Sequence, residues 1–271
     1  MTTSRGTIPG DIDDKPLGTA IYPDLADKVA VVTGGSRGIG AATAVALGAN
    51  GVSVAVVGRD GAAIDGTVEA VRAVGAAALG VVADCTVEED LASLRQQVAA
   101  TLGRVDILAA FAGGNGMPVA TANESSWHWR EVIESDLTST FLTVAAFLPE
   151  MTARRSGVII TMASSAARMA AKSSAAYAAA KAGVIAFSRH LASEFAENGI
   201  RANCIAPSAI ENDKMRARMS AAQREALGRA FPLGRIGQPP DVAAAALYLA
   251  SSASSWITGV TLDVAGGMVM A

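Results

Sequence analysis

Cysteine is nearly absent: the 271-residue chain has two, Cys85 and Cys204, far apart and each inside an apolar, strand-like run. Two such residues do not make a disulfide framework, so free buried thiols and a cytoplasmic setting are expected. Histidine is as scarce, and His128 and His190 are not spaced with other ligands as a metal site requires. Both are read as structural, and no metal is expected. No uninterrupted apolar run reaches the roughly 18 residues that would suggest a membrane span. Blocks of Lys and Arg are also missing, and the net charge is -3 with a pI near 5.5. Nucleic acid and anionic membranes are therefore not expected as the main partner.

What is present is apolar. Hydrophobic residues make up 51% of the chain and charged residues 17%, enough for a sizeable core. The first 24 residues, rich in Gly, Pro, Asp and Thr, lack the apolar centre of a secretory signal. A flexible arm is expected over 1–24, with cover for a neighbouring subunit as an alternative role.

From there to residue 271, short apolar runs alternate with helix-period segments. Strands are expected at 28–35, 53–60, 78–85, 105–113, 157–165, 200–208 and 259–267. Helices are expected at 39–51, 61–74, 88–103, 127–150 and 174–198, with one more before the last strand. Fully apolar strands joined by helices predict a single-domain, Rossmann-like, doubly wound parallel sheet with helices on both faces. Its ligand belongs outside the carboxyl ends of the strands. The charged stretch 208–235 leaves one such end and is read as a substrate lid, with an ordinary surface excursion as the alternative.

Two motifs carry chemistry. The first is the turn Thr33-Gly34-Gly35-Ser36-Arg37-Gly38-Ile39-Gly40, directly after the first strand and opening a helix. Glycines there let the backbone approach a pyrophosphate, which free N–H groups at a helix start then stabilise. Its spacing differs from the common G-x-G-x-x-G fingerprint. The second is Tyr177 with Lys181, an i, i+4 pair on one helix face, thirteen residues beyond Ser164 at the end of the fifth strand. A phenol, with a pKa near ~10, is a poor base at neutral pH, and a neighbouring ammonium stabilises its phenolate.

Together with "GRIGQPPDVAAAALYLASSASSWITG", these motifs make residues 25–271 resemble the short-chain dehydrogenase/reductase family, most of all its 3-oxoacyl-carrier-protein reductase branch. The resemblance implies that Tyr177 exchanges a proton with the substrate oxygen while a nicotinamide gives or takes hydride. Lys181 would stabilise the phenolate and bind the nicotinamide ribose, and Ser164 would hold the carbonyl or hydroxyl oxygen. The cofactor would lie along Gly34, Ser36, Arg37, Gly38, Ile39, Gly40, Asp84, Cys85, Ala112, Gly113, Pro207 and Ile210. Family members form dimers or tetramers through helices that fall here at 127–150 and 174–198, so a homodimer or homotetramer is expected.

Cofactor choice has a physical argument of its own. NAD preference calls for a carboxylate at the end of the second strand, where this chain has Gly58 followed by Arg59. Arg37 and Arg59 suit a 2'-phosphate, so NADP(H) is expected over NAD(H). Asp60 is expected to cap the next helix.

Four departures from the family pattern stand out. Ala110 and Phe111 replace two asparagines that support the cofactor-side wall, while Ala112 and Gly113 keep the small pair. Asp136 stands where the family has a catalytic asparagine. Its carboxylate could pair with Lys181 and weaken that residue's hold on Tyr177, or extend a proton relay. Pro207-Ser208 and Asn212 replace P-G and threonine, and Ala265 interrupts V-D-G-G. The leading expectation is an NADP(H)-dependent ketoreductase or alcohol dehydrogenase acting on a small carbonyl or alcohol. The alternatives are a dehydratase or epimerase on the same fold, or a non-catalytic cofactor-binding subunit of a mixed assembly.

Overall fold

The computed structural model describes residues 19–114, 117–170 and 173–270. Seven strands form one sheet: β1 (Val29–Thr33), β2 (Ser53–Gly58), β3 (Ala78–Val82), β4 (Ile107–Ala110), β5 (Gly157–Met162), β6 (Ile200–Pro207) and β7 (Thr261–Val264). Every pairing is parallel, in the order β3-β2-β1-β4-β5-β6-β7. The chain order reverses between β1 and β4, and the crevice beyond their carboxyl ends is where a doubly wound sheet binds its ligand.

The helices are α1 (Gly38–Gly48), α2 (Gly61–Ala73), α3 (Glu88–Thr101), α4 (Ser126–Ile133), α5 (Ser139–Arg154), α6 (Ala175–Phe195), α7 (Asp213–Arg218), α8 (Ala221–Gly228) and α9 (Pro239–Ala250). One face of the sheet is covered by α1, α2 and α9, through Leu47, Ile64, Val71, Val242 and Leu247. The other is covered by α3, α5 and α6, through Leu91, Leu94, Phe147, Met151 and Leu191. Both faces of β1 and β4 are therefore buried, which is why these strands read as unbroken apolar runs. Each fully buried Leu, Ile or Phe contributes about 1.5–3 kcal/mol, so the strand ends beneath the site rest on a stiff base.

The expected helix 127–150 is not one helix. A π-helical turn at Glu134–Thr138 separates α4 from α5. Wider winding at that turn changes the facing of the residues in it, and Asp136 is fully buried there. The fourth strand ends at Ala110 rather than 113, because the Phe111 and Ala112 amides turn to the Thr33 side chain, and Phe111 N also to the Ala109 carbonyl, instead of a backbone carbonyl of a neighbouring strand. Most of the expected arm lies outside the described residues. At its end, Tyr22 N donates to Asn50 Oδ1 (2.6 Å), Asn50 Nδ2 donates to the Ala20 carbonyl (3.0 Å), and Asp24 accepts from Ser252 N (2.7 Å). The stretch 208–235 contains two short helices, α7 and α8.

Candidate active site

The turn after β1 passes close to the turn after β4. Gly34 has φ +64°, and a Cβ built on it would sit 2.8 Å from the Phe111 carbonyl oxygen. A Cβ on Gly40 would overlap the Gly34 carbonyl. Only bare backbone fits, and the resulting turn opens α1 with its first N–H groups free, as a pyrophosphate needs. The Thr33 hydroxyl, fully buried, accepts hydrogen bonds from Phe111 N (3.1 Å) and Ala112 N (3.2 Å). Phe111 itself packs into the core and lines the cavity in front of the turn.

The N-terminus of α6 is fixed twice. Ser174 accepts from Tyr177 N (3.1 Å), and the Glu124 carboxylate accepts from Ala176 N (3.3 Å). Glu124 also meets His128 Nδ1 at 3.1 Å, so this histidine is structural. His190 pairs with Glu194 at an exposed position. One turn into the helix, Lys181 lies over the Tyr177 ring, with Nζ 5.7 Å from its centroid. Lys181 Nζ donates to the Met162 carbonyl (3.1 Å) and pairs with Asp136 Oδ1 (3.1 Å). Asp136 also accepts from Gly114 N (2.6 Å) and Ser135 Oγ (2.8 Å). Of the two outcomes left open for the Asp136 carboxylate, the structure shows pairing with Lys181. Ser164 follows β5 and accepts from Ala166 N at 3.2 Å.

Gly34, Arg37, Gly38, Ile39, Gly40, Gly113, Ser164, Tyr177, Lys181, Pro207 and Ile210 line a single cavity of about 670 Å³. Asp213, Lys214, Met215 and Arg216 of α7 border it as well, so the segment after β6 does flank the opening. Glu211 joins that segment to the body, contacting Arg216 and Arg224 at 3.3 Å each and accepting from Gln238 Nε2 at 2.7 Å. Asn212 caps α7 by accepting from Met215 N (2.9 Å).

Other expected residues stand outside that lining. Ser36 lies beneath the turn, where its carbonyl accepts from Thr67 Oγ1 at 3.2 Å. Ala112 and Asp136 sit behind the wall. Asp84 binds the amide (3.0 Å) and hydroxyl (2.8 Å) of Thr86, and mainly the amide bond holds its carboxyl below the usual aspartate range. Cys85 is buried beside it, and burial pushes its thiol up. Arg59 is exposed, 3.6 Å from Asp84. Arg37 is bound to Asp60 at 2.5 Å, while Asp60 also accepts from Ala63 N as the expected cap of α2. Sequence reading did not single out Thr33, Gly114 or the Met162 carbonyl as parts of the site, whereas α7 lies within the stretch 208–235 that it read as a lid. Thr33 lay within the quoted turn, but a backbone carbonyl has no signature in a sequence.

A family model described as "Enoyl-(Acyl carrier protein) reductase" matches residues 34–269. The chain belongs to the short-chain dehydrogenase/reductase family. Members bind nicotinamide cofactors, and the family relationship makes this chain an oxidoreductase. It is 39% identical over 244 residues to cis-4-hydroxycyclohexanecarboxylate dehydrogenase of Sinomonas cyclohexanicum, covering 90% of this chain and 97% of the relative. It is also 39% identical to the 3-oxoacyl-[acyl-carrier-protein] reductase of Salmonella typhimurium, over 90% of this chain and 98% of that one. Among solved structures, a 7α-hydroxysteroid dehydrogenase complexed with NADH and 7-oxo glycochenodeoxycholic acid superposes with a TM-score of 0.85. Identity is 33%, with 92% of this family member and 98% of that chain covered. Among the described residues no helix is long and apolar enough to cross a membrane, and no group of three metal-ligating side chains gathers.

Proposed function

We propose that this oxidoreductase interconverts a small ketone and a secondary alcohol with NADP(H), using Tyr177 to give or take the proton. The observation that carries this reading is the convergence of Ser164, Tyr177 and Lys181 with the glycine turn in one cavity. Gly34, Gly38, Gly40 and Gly113 would hold the dinucleotide, since side chains at Gly34 and Gly40 would strike the backbone behind them. When bound, the nicotinamide supplies or accepts hydride.

This chain's own groups do the rest. The Ser164 hydroxyl orients the substrate oxygen by a hydrogen bond, and Tyr177 moves a proton to or from that oxygen. Lys181 offers the ribose its remaining N–H, two being engaged by Met162 and Asp136. For the 2'-phosphate, the support is Arg59 and Arg37 beside Gly58, with no carboxylate at the end of β2. Asp60 opposes it by sharing Arg37. The expected site is the cytoplasm, in keeping with the two free thiols. The expected assembly is a homodimer or homotetramer through α4, α5 and α6, where Trp127, Trp129 and Phe141 are exposed.

Purified protein with NADPH should reduce members of a panel of alicyclic ketones, β-keto esters and quinones, and Tyr177→Phe should abolish turnover while leaving NADPH binding intact. Tight NADPH binding without turnover across the panel would favour a non-catalytic subunit. That second reading draws on one feature, the commitment of Lys181 to a buried carboxylate.

A further inference from the structure

The Lys181 ammonium does not face the cavity as an uncompensated charge. Its side chain is 3% exposed, that of Asp136 is 0% exposed, and they meet at 3.1 Å. Burial opposes ionisation of Asp136. The Lys181 charge, with hydrogen bonds from Gly114 and Ser135, outweighs it and holds the carboxyl below the ordinary aspartate range. The two side chains therefore form a buried ion pair in direct contact.

Among the described residues, few other charges face this pair. Cys204 from β6 is a buried thiol whose ionisation burial opposes. Glu124 with His128 stands at the start of α6. Across the cavity stand Glu211, Asp213, Lys214 and Arg216, and Arg37 is tied to Asp60. None of them is paired with Lys181. In a dry pocket, a carboxylate in contact with an ammonium offsets much of the field that the ammonium imposes on a ring 5.7 Å away.

We propose that Asp136 is a positioning residue that offsets the Lys181 charge at the Tyr177 ring, so that Tyr177 keeps its proton, ready for a carbonyl oxygen, to higher pH than an uncompensated lysine would allow. The inference rests on the reading of Tyr177 given above. In the reduction, a bound reduced nicotinamide would supply hydride to the carbonyl carbon, becoming oxidised, as the C=O π pair moves onto oxygen. The Tyr177 O–H bond breaks as a new O–H bond forms there. The phenolate left behind is weakly held by a neutralised lysine and recovers its proton from water. The same carboxylate fixes the wall of the cavity, because it accepts from Gly114 N and lies 2.7 Å from where a Cβ on Gly113 would be.

The test is Asp136→Asn in the full chain, with Asp136→Ser as the second variant if the first does not fold. Two readouts are needed. The first is the ultraviolet titration of tyrosinate in cofactor-free protein, with Tyr177→Phe subtracted to remove Tyr22 and Tyr248. The second is the pH profile of reduction and of oxidation. The expected result is a shift of the Tyr177 titration, and of the pH profiles of both reduction and oxidation, to lower pH by about one unit. A titration shift below about 0.3 unit would overturn the proposal. So would equal losses of kcat in both directions with unmoved profiles, which mark a purely structural role. If the wild type turns over no ketone, the reading of the site fails, and the cofactor-free titration still decides whether Asp136 offsets the lysine charge.

Discussion

The Thr33 hydroxyl lies 3.1 Å from the Phe111 amide, joining the end of β1 to the turn after β4. This contact bears on the two missing asparagines at Ala110 and Phe111. The backbone at those positions is held by a buried hydroxyl, and the Phe111 ring packs into the core. Thr33→Val should leave the Ala112 amide unsatisfied and Phe111 N with the Ala109 carbonyl (3.1 Å) as its remaining acceptor, and cost about 1–3 kcal/mol. Thr33→Ser should recover most of it. Urea denaturation with NADPH titration checks this: equal stability for valine and serine variants would show that the hydroxyl contributes nothing.

Gly113 has φ +123°, and a Cβ there would lie 2.7 Å from Asp136 Oδ1. Gly113→Ala should therefore combine backbone strain of about 1–3 kcal/mol with displacement of the carboxylate that holds Lys181. A lower Tm accompanied by a larger loss in kcat than in cofactor affinity is expected. An unchanged Tm would mean that the loop adapts freely.

The proposed preference for NADP(H) rests on Arg59 and is opposed by Asp60, two charges of opposite sign just beyond Gly58. Arg59→Ala should weaken NADPH binding several-fold while barely touching NADH. Asp60→Asn keeps an oxygen for the α2 cap and removes the charge that engages Arg37, so it should raise the NADPH-to-NADH preference. Calorimetric Kd values for both cofactors decide it. Parallel changes for the two would separate these residues from the 2'-phosphate.

Asp136 also gives stability a pH dependence. Its folded-state pKa is depressed, so its contribution is fully present above the unfolded aspartate value near ~3.9 and is lost as pH falls through the folded value. At neutral pH, Asp136→Asn should be destabilised by about 3 kcal/mol, because the buried ammonium loses its counter-charge. The difference should narrow on acidification below roughly pH 4. Thermal unfolding across pH tests this, and a gap that stays constant from pH 7 to the acid limb would remove Asp136 as its source.

The sheet could be read from the chain because its information is local. Unbroken runs such as Val29–Thr33 and Ile107–Ala110 are buried on both faces, and helical periodicity lies between them. The glycine turn and the Tyr177–Lys181 spacing were equally visible, since each lies within about one or two turns of chain. The sequence could not show the π turn, because one residue of altered winding leaves no apolar period of its own. It is that turn which places Asp136 inside, against Lys181. The Met162 carbonyl on the same ammonium and the Thr33 hydroxyl on the Phe111 amide were hidden for a related reason. They join distant parts of the chain through backbone groups that every residue carries, and only the tertiary structure decides which of those groups meet.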